Sequence, residues 1–279
     1  MAGGAVTRFA PSPTGPLHLG HAFSALTAWT RAKGGTFLLR IEDIDTARCR
    51  PAYEAAIYED LRWLGLSWPQ PVMRQSDRLP AYAAALDRLA ALGVTYACTC
   101  TRGDIRAALS APQEGAPVIG PDGPVYPGTC RGKGHGAENA AIRLDMRTAM
   151  AKVGAIAFHE TGPDRAGHHS RSASEMIETV GDVVLARRDI GTSYHLSVVV
   201  DDAAQGVTEV VRGLDLFDAT AIHIVLQRLL DLPTPTYHHH RLIRDDQGKR
   251  LAKRDDARAL SLFRAEGATP EDIRKIIGL

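Results

Sequence analysis

No apolar run in this chain of 279 residues approaches the ~20 residues that cross a bilayer as a helix. Met1-Ala2-Gly3-Gly4 has no charged-then-apolar leader pattern. Together these absences predict a cytoplasmic protein with no membrane partner. Cysteine is scarce: four residues, Cys49, Cys98, Cys100 and Cys130, do not make a disulfide framework in a chain of this length. A one-sided charge is also missing. The formal net charge of +1 says little about partners, because a nucleic-acid binder can confine its positive charge to one face. There is no internal repeat and no low-complexity segment. A hydrophobic content of 44% with 23% charged residues is ordinary for a globular protein and argues against disorder. The length allows one large domain or two modest ones.

What the chain does have begins at Arg8-Phe9-Ala10-Pro11-Ser12-Pro13-Thr14-Gly15-Pro16-Leu17-His18-Leu19-Gly20-His21. A β-prone run, Ala5 to Ala10, enters a Pro/Gly-dense turn that opens onto a helical pattern from His18 to about Arg31. Strand, turn and helix N-terminus together form an anion site, since unpaired N–H groups and the positive end of the helix dipole point at whatever lies in front. His18 and His21 fall on one face of that first turn, where both can donate to a phosphoryl oxygen. Gly20 lets a nucleotide approach the backbone. Taken alone, H-x-G-H reads equally well as two surface histidines on an amphipathic helix.

A strand from Thr36 to Ile41 ends in Glu42-Asp43-Ile44-Asp45, at the end of a strand where ligands sit in open α/β sheets. Asp45 reads as a solvated or capping residue, Glu42 as a carboxylate on the ligand side. Helical spacing follows at Ala52 to Leu64 and Pro80 to Leu92, with Trp63, Leu64, Leu66, Leu86, Leu89 and Leu92 as core. Short strands are expected at Ala141–Leu144, Ala155–Phe158 and Gly181–Arg188, with a solvated loop at Gly162–Ser174. A helix from Tyr194 leads to a strand from Val207 to Val211 with Arg212 at its end, a second ligand-side charge. Leu216 to Leu230 is a further helix, capped by Asp215 or Asp218. The successive histidines His238-His239-His240 are poor ligands for one ion, because neighbours on a strand point to opposite faces. They read as strand residues near the nucleotide. Helices near Ala257–Ala265 and Pro270–Ile277 close the chain.

Between Cys98 and His135 the hydrophobic period disappears, and nine glycines and prolines fall from Pro112 to Gly128. A metal could stabilise such a stretch. Cys98, Cys100 and Cys130 favour zinc on grounds of softness, with Tyr126 or His135 as the fourth donor. Three reduced thiols are the alternative, since C-x-C is less diagnostic than paired C-x-x-C.

Four motifs in this order resemble those of class I aminoacyl-tRNA synthetases, glutamyl branch: Arg8 to His21 with its H-x-G-H, Leu39 to Asp45 (L-R-I-E-D-x-D), Tyr194 to Gly213, and Arg250-Leu251-Ala252-Lys253 at the place of the mobile K-L-S-K loop. The resemblance covers nearly the whole chain. It implies an α/β fold with a Rossmann-like doubly wound parallel sheet, an inserted α/β subdomain and a short C-terminal helical piece. The division it implies is 1–95 and 191–240 for the two halves of the catalytic domain, 96–190 for the inserted acceptor and zinc subdomain, and 241–279 for the ATP loop and C-terminal helices. It further implies ATP as substrate with Mg²⁺, catalysis by His18, His21 and Lys253, and nucleotide contacts from His18, Gly20, His21, Arg250 and Lys253. L-glutamate would be held by Arg8, Ala10, Ser12, Glu42, Tyr194 and Arg212. Arg250 and Ala252 depart from the usual Lys and Ser of the loop. The end at Leu279 and the partial match Tyr126-x-x-x-Cys130 are similar to the short members of this branch. Those lack an anticodon-binding region, bind one Zn²⁺ through Cys98, Cys100, Tyr126 and Cys130 by the match, and glutamylate queuosine in the anticodon of tRNA(Asp). The insert between Cys100 and Tyr126 is longer here than in that pattern. A monomer acting on tRNA(Asp) is the expectation. The rivals are a truncated enzyme that charges the 3′ end of tRNA and a non-catalytic, synthetase-like regulator.

Overall fold

The computed structural model describes residues 4–110, 117–244 and 258–279, so Arg250, Ala252 and Lys253 lie outside the described residues. Strand β1 (Val6–Phe9) leads into helix α1 (Leu19–Arg31), then β2 (Thr36–Ile41), α2 (Pro51–Trp63), β3 (Met73–Arg74) and α3 (Leu79–Ala91). β1, β2 and β3 are parallel neighbours in that order. The next stretch holds β4 (Thr95–Cys98), α4 (Arg102–Ser110), β5 (Ile119–Gly120), β6 (Gly123–Pro124), β7 (Ala141–Leu144), α5 (Met146–Val153), β8 (Ile156–Glu160), β9 (Gly167–Arg171), α6 (Ala173–Thr179) and β10 (Val184–Ala186). The chain then returns through α7 (Tyr194–Ala204), β11 (Glu209–Gly213), α8 (Thr220–Leu229) and β12 (Thr236–His240), and finishes with α9 (Leu260–Ala265) and α10 (Pro270–Ile277).

The strands β11, β12 and β8 are parallel, with β9 antiparallel at the edge. At their starts β1 and β11 are tied by two bonds of 2.9 Å: Thr208 N–H donates to the Val6 carbonyl, and Val6 N–H to the Thr208 hydroxyl. The strand order reverses here, β1 running outward to β2 and β11 outward to β12. Side-chain alternation explains why helices cover both faces. Phe37, Leu39, Ile41 and Val211 pack with α1, α2 and α10, whereas Leu38, Val210 and Tyr237 face a core built on α3, α7 and α8. This is a doubly wound α/β domain. A second, antiparallel sheet in the order β10-β7-β4 and the hairpin β5–β6 stand apart from it. Among the described residues no helix is long and apolar enough to cross a membrane.

Several local expectations are corrected. Gly162–Ser174 is not a bare loop, because Gly167–Arg171 pairs with β8; its alternating exposure carries polar residues throughout, which hid the strand. The strand expected over Gly181–Arg188 shrinks to Val184–Ala186 and joins β7. α8 starts at Thr220 without a side-chain cap, so neither Asp215 nor Asp218 caps it. The Leu216 carbonyl instead accepts from Arg212 at 3.2 Å, which holds the preceding 3₁₀ turn. Leu92 is 38% exposed and is not core. At α10 the Thr269 hydroxyl accepts from Asp272 N–H and the Asp272 carboxylate from Thr269 N–H, a reciprocal cap of the helix start.

The two halves of the sheet are clasped by a buried carboxylate. Asp202 on α7 accepts from Arg8 of β1 through Nε (2.9 Å) and Nη2 (3.3 Å), and from Arg40 of β2 through Nη1 (2.6 Å). Burial opposes ionisation of Asp202, but the charges of Arg8 and Arg40 outweigh it and hold the carboxyl below its ordinary value. We expect Asp202→Ala to lower stability by about 3–5 kcal/mol in urea unfolding, since it removes the shortest ion pair of each of two buried cations. A loss under about 1 kcal/mol would show that the clasp is not needed.

Candidate active site

A cavity of about 610 Å³ opens at the carboxyl ends of β1 and β11, the position that a strand-order reversal creates for ligands. Arg8, Ala10, Ser12, His18, Gly20, His21, Glu42, Tyr194 and Arg212 all line it. Every described residue singled out for nucleotide or amino acid is therefore brought together. Reading the sequence missed Arg48, Asp215, Arg241 and Ile243, which line it too. None of these stands in a recognisable pattern.

His18 and His21 build the start of α1. His18 Nδ1 accepts from Gly20 N–H and His21 Nδ1 from His18 N–H, each at 3.1 Å. The rings stack tilted, with centroids 3.8 Å apart. Because both Nδ1 atoms act as acceptors, each neutral ring carries its proton on Nε2. The pair thus caps the helix from the cavity lining, each ring with its donor on Nε2.

Glu42 sits at the end of β2, its side chain 12% exposed and bonded by Arg40 Nη2 at 3.2 Å. Burial raises its carboxyl above the ordinary value, against the pull of Arg40 and Arg8. Arg8 commits three N–H groups to Asp202 and to the Val211 carbonyl. Asp45, by contrast, is 19% exposed and pairs with Arg48 at 2.7 Å and Arg187 at 3.8 Å, an ion-paired residue where a solvated or capping one was expected.

Among the described residues Arg212 has no direct carboxylate partner, so neither Asp201 nor Asp202 is ion-paired to it. Its Nε donates to His239 Nε2 (3.1 Å), its Nη2 to Thr220 Oγ1 (2.8 Å) and the Leu216 carbonyl, and its Nη1 to His223 Nδ1 (3.0 Å). The last donor, on Nη1, meets the Tyr194 hydroxyl at a loose 3.5 Å. That N–H, beside Tyr194 on the cavity wall, is the one an entering carboxylate would recruit. Burial raises the Tyr194 phenol, so it stays a neutral donor. His239 Nδ1 bonds the fully buried Glu160 at 2.5 Å. The three histidines of β12 thus serve the sheet and cavity wall, with His240 on the lining.

Away from the cavity, the sulfurs of Cys98, Cys100 and Cys130 lie within 4.8 Å of one another. The Tyr126 hydroxyl is 3.4 Å from the Cys98 sulfur and 3.3 Å from that of Cys100, and Arg143 stacks on its ring at 3.8 Å. Tetrahedral zinc with bonds of about 2.3 Å would separate sulfurs by about 3.8 Å. Cys100 and Cys130 at 3.4 Å are close to that spacing, so three thiols and a phenol fit a four-donor metal centre. His135 is exposed. Burial alone would raise the Cys130 thiol, but hydrogen bonds from Tyr126 and Cys100 hold it down to about 5, the thiolate form that binds metal.

A doubly wound sheet with a capped helix N-terminus and charged groups of both signs at its switch point defines a nucleotide-dependent enzyme of the Rossmann-like class. The chain matches the family described as tRNA synthetases class I (E and Q), catalytic domain, over residues 5–132 and 163–279, and it belongs to that family of ATP-dependent ligases. It is 64% identical to a glutamyl-Q tRNA(Asp) synthetase of Rhodobacter capsulatus, over 98% of this chain and 100% of that protein. With the protein of the same name from Burkholderia cenocepacia it shares 44% identity, over 91% of this chain and 81% of that one. Among solved structures, glutamate-tRNA synthetase of Elizabethkingia anophelis superposes with a TM-score of 0.76 at 27% identity, covering 96% of this chain. The chain spans 60% of that longer enzyme.

The capping bond of His18 and the nucleotide contact expected of it are separable. His18→Ala is expected to cost about 1 kcal/mol through the lost cap and to weaken ATP binding. His18→Asn keeps an N-cap acceptor, so the unfolding midpoint should stay near wild type while ATP binding still falls. Equal ATP affinity in His18→Asn and wild type, read by calorimetric titration, would confine His18 to the cap.

Proposed function

We propose that the protein activates L-glutamate with ATP in the absence of tRNA and transfers the glutamyl group to the queuosine base in the anticodon of tRNA(Asp). The observation that carries this reading is the gathering of Arg8, Glu42, Tyr194 and Arg212 beside His18 and His21 on one cavity. The names of the relatives at 64% and 44% identity support it. Glu42 receives the ammonium group, Arg212 and Tyr194 a carboxylate, and Ala10 and Ser12 line the wall. An α-carboxylate oxygen of glutamate attacks the α-phosphorus of ATP, the bond to the bridging oxygen breaks, and pyrophosphate leaves with that electron pair. Nε2–H of His18 and of His21 donates to the phosphates, and Gly20 leaves room for the nucleotide. This is positioning and charge stabilisation, with no covalent enzyme intermediate. A hydroxyl oxygen of queuosine then attacks the acyl carbon, the bond from that carbon to the phosphate oxygen breaks, and AMP departs with the electron pair while the hydroxyl proton passes to the departing phosphate or to water. Lys253 and Arg250, outside the described residues, complete the triphosphate contacts in this reading, and bound Mg²⁺ would supply further charge neutralisation there.

Cys98, Cys100, Tyr126 and Cys130 would hold one Zn²⁺ that braces the β4 and β6 region, a structural role distant from the chemistry. The reading also divides the chain as 1–95 and 191–240 for the two halves of the catalytic domain, 96–190 for the inserted acceptor and zinc subdomain, whose β8 and β9 extend the catalytic sheet, and 241–279 for the ATP loop and final helices, in a cytoplasmic monomer.

The first test is ATP–pyrophosphate exchange with glutamate and with glutamine, without tRNA. Exchange with glutamate alone is expected, followed by transfer of labelled glutamate into acid-precipitable material only with queuosine-containing tRNA(Asp). Silence until tRNA(Glu) is added, with charging at its 3′ end, would replace the reading by a conventional synthetase. Glu42 adds a pH signature. Its raised carboxyl neutralises, as pH falls, before an ordinary carboxylate at about 4.3 does, so KM for glutamate should climb early on the acid side. Glu42→Gln should show a high, pH-independent KM. Metal analysis of the purified protein should give one zinc per chain, lost in Cys100→Ser.

A further inference from the structure

Behind Arg212 lies a hydrogen-bond chain whose direction is fixed at both ends. Arg212 can only donate, so His223 Nδ1, 3.0 Å from its Nη1, is an acceptor. His223 therefore carries its proton on Nε2 and gives it to His195 Nδ1 at 3.0 Å. His195 in turn bears its proton on Nε2, which lies 2.9 Å from each oxygen of the Asp122 carboxylate. Both imidazoles are buried, at 5% and 3% exposure, while the Asp122 side chain is 50% exposed. Burial, then the positive charge of Arg212, keep His223 from protonating, as an acceptor beside a guanidinium must be.

We propose that Asp122, His195 and His223 form a polarised relay that orients Arg212 for the substrate carboxylate, making Asp122 a positioning residue of the amino-acid pocket. Asp122 lies in the Pro121-Asp122 turn between β5 and β6, outside the catalytic sheet, so the inserted segment reaches into substrate recognition without touching substrate. The relay occupies one hydrogen of Nη1 and so leaves the other turned to Tyr194. Without an acceptor at position 122, His195 can turn over, His223 can adopt the other tautomer, and a proton on its Nδ1 would then confront Arg212 N–H. The effect on glutamate rests on the proposed function.

The test compares Asp122→Ala with Asp122→Asn, whose amide oxygen still accepts from His195. Asp122→Ala should raise KM for glutamate about fivefold, the scale of one lost orienting hydrogen bond, with kcat, KM for ATP, zinc content and melting midpoint near wild type. Asp122→Asn should restore most of the affinity. Nitrogen–proton correlation spectra of the free wild-type protein should show His195 and His223 protonated on Nε2 alone, and the Arg212 Nε–H signal should move in Asp122→Ala. An unchanged glutamate KM in Asp122→Ala, a His223 proton on Nδ1, or an unmoved Arg212 signal would each overturn the relay. If wild type shows no glutamate exchange at all, the proposed function fails, and the spectra still decide the relay.

Discussion

The site depends on one carboxylate shared by two buried guanidiniums. Asp202 belongs to α7, in the second half of the sheet domain, while Arg8 and Arg40 belong to β1 and β2 in the first. A carboxylate in that place resists burial unless paired, and two cations around it reverse the balance. The neighbouring Asp201 is fully buried as well, taking bonds from Gln75, Arg78 and Tyr82. The cost of sequestering so many charges falls only when α7, β1, β2 and the turn before α3 are all in register. The charged layer therefore specifies the arrangement of the halves more than it adds to stability.

That layer also decides what the cavity offers. Arg40 spends one nitrogen on Asp202 and Gln205 and another on Glu42, so the carboxylate that faces the ligand is aimed by the same clasp that joins the sheet. Desolvation raises Glu42 despite Arg40, leaving a group whose charge would be stabilised by an arriving ammonium. At the other wall, the first turn of α1 uses His18 and His21 as its own caps. In the proposed function, helix start and phosphate site are then one structure, its caps in place without nucleotide.

Much of this was legible in the sequence. The short apolar run Thr36–Ile41 and the valine-rich Val207–Val211 announced strands, and the turn residues before His18 announced a helix start. Arg8, Glu42, Tyr194 and Arg212 could be named because they stand in long motifs and at strand or helix ends. Their supports could not. His223 looks like any helix residue, Glu160 lies at the end of a short alternating segment, and Asp122 sits in a Pro/Gly-rich stretch without a period. Each acquires its role only from contacts between 11 and 79 residues apart in the chain. β9 was hidden for a related reason: an edge strand with polar side chains on both faces has no hydrophobic signature.

The two arginines of the cavity show why the supports matter. Arg8 is directly paired with a carboxylate, so much of its charge is compensated before a ligand enters. Arg212 is held instead by two imidazoles, with Glu160 behind one and Asp122 behind the other two bonds away. A carboxylate touching Arg212 would fix it equally well but would compete with the ligand's own carboxylate for the same N–H groups. Neutral imidazoles take hydrogen bonds without cancelling the charge, and their backing carboxylates fix which nitrogen accepts. Orientation is thereby separated from neutralisation, and the positive charge in the pocket remains for the substrate.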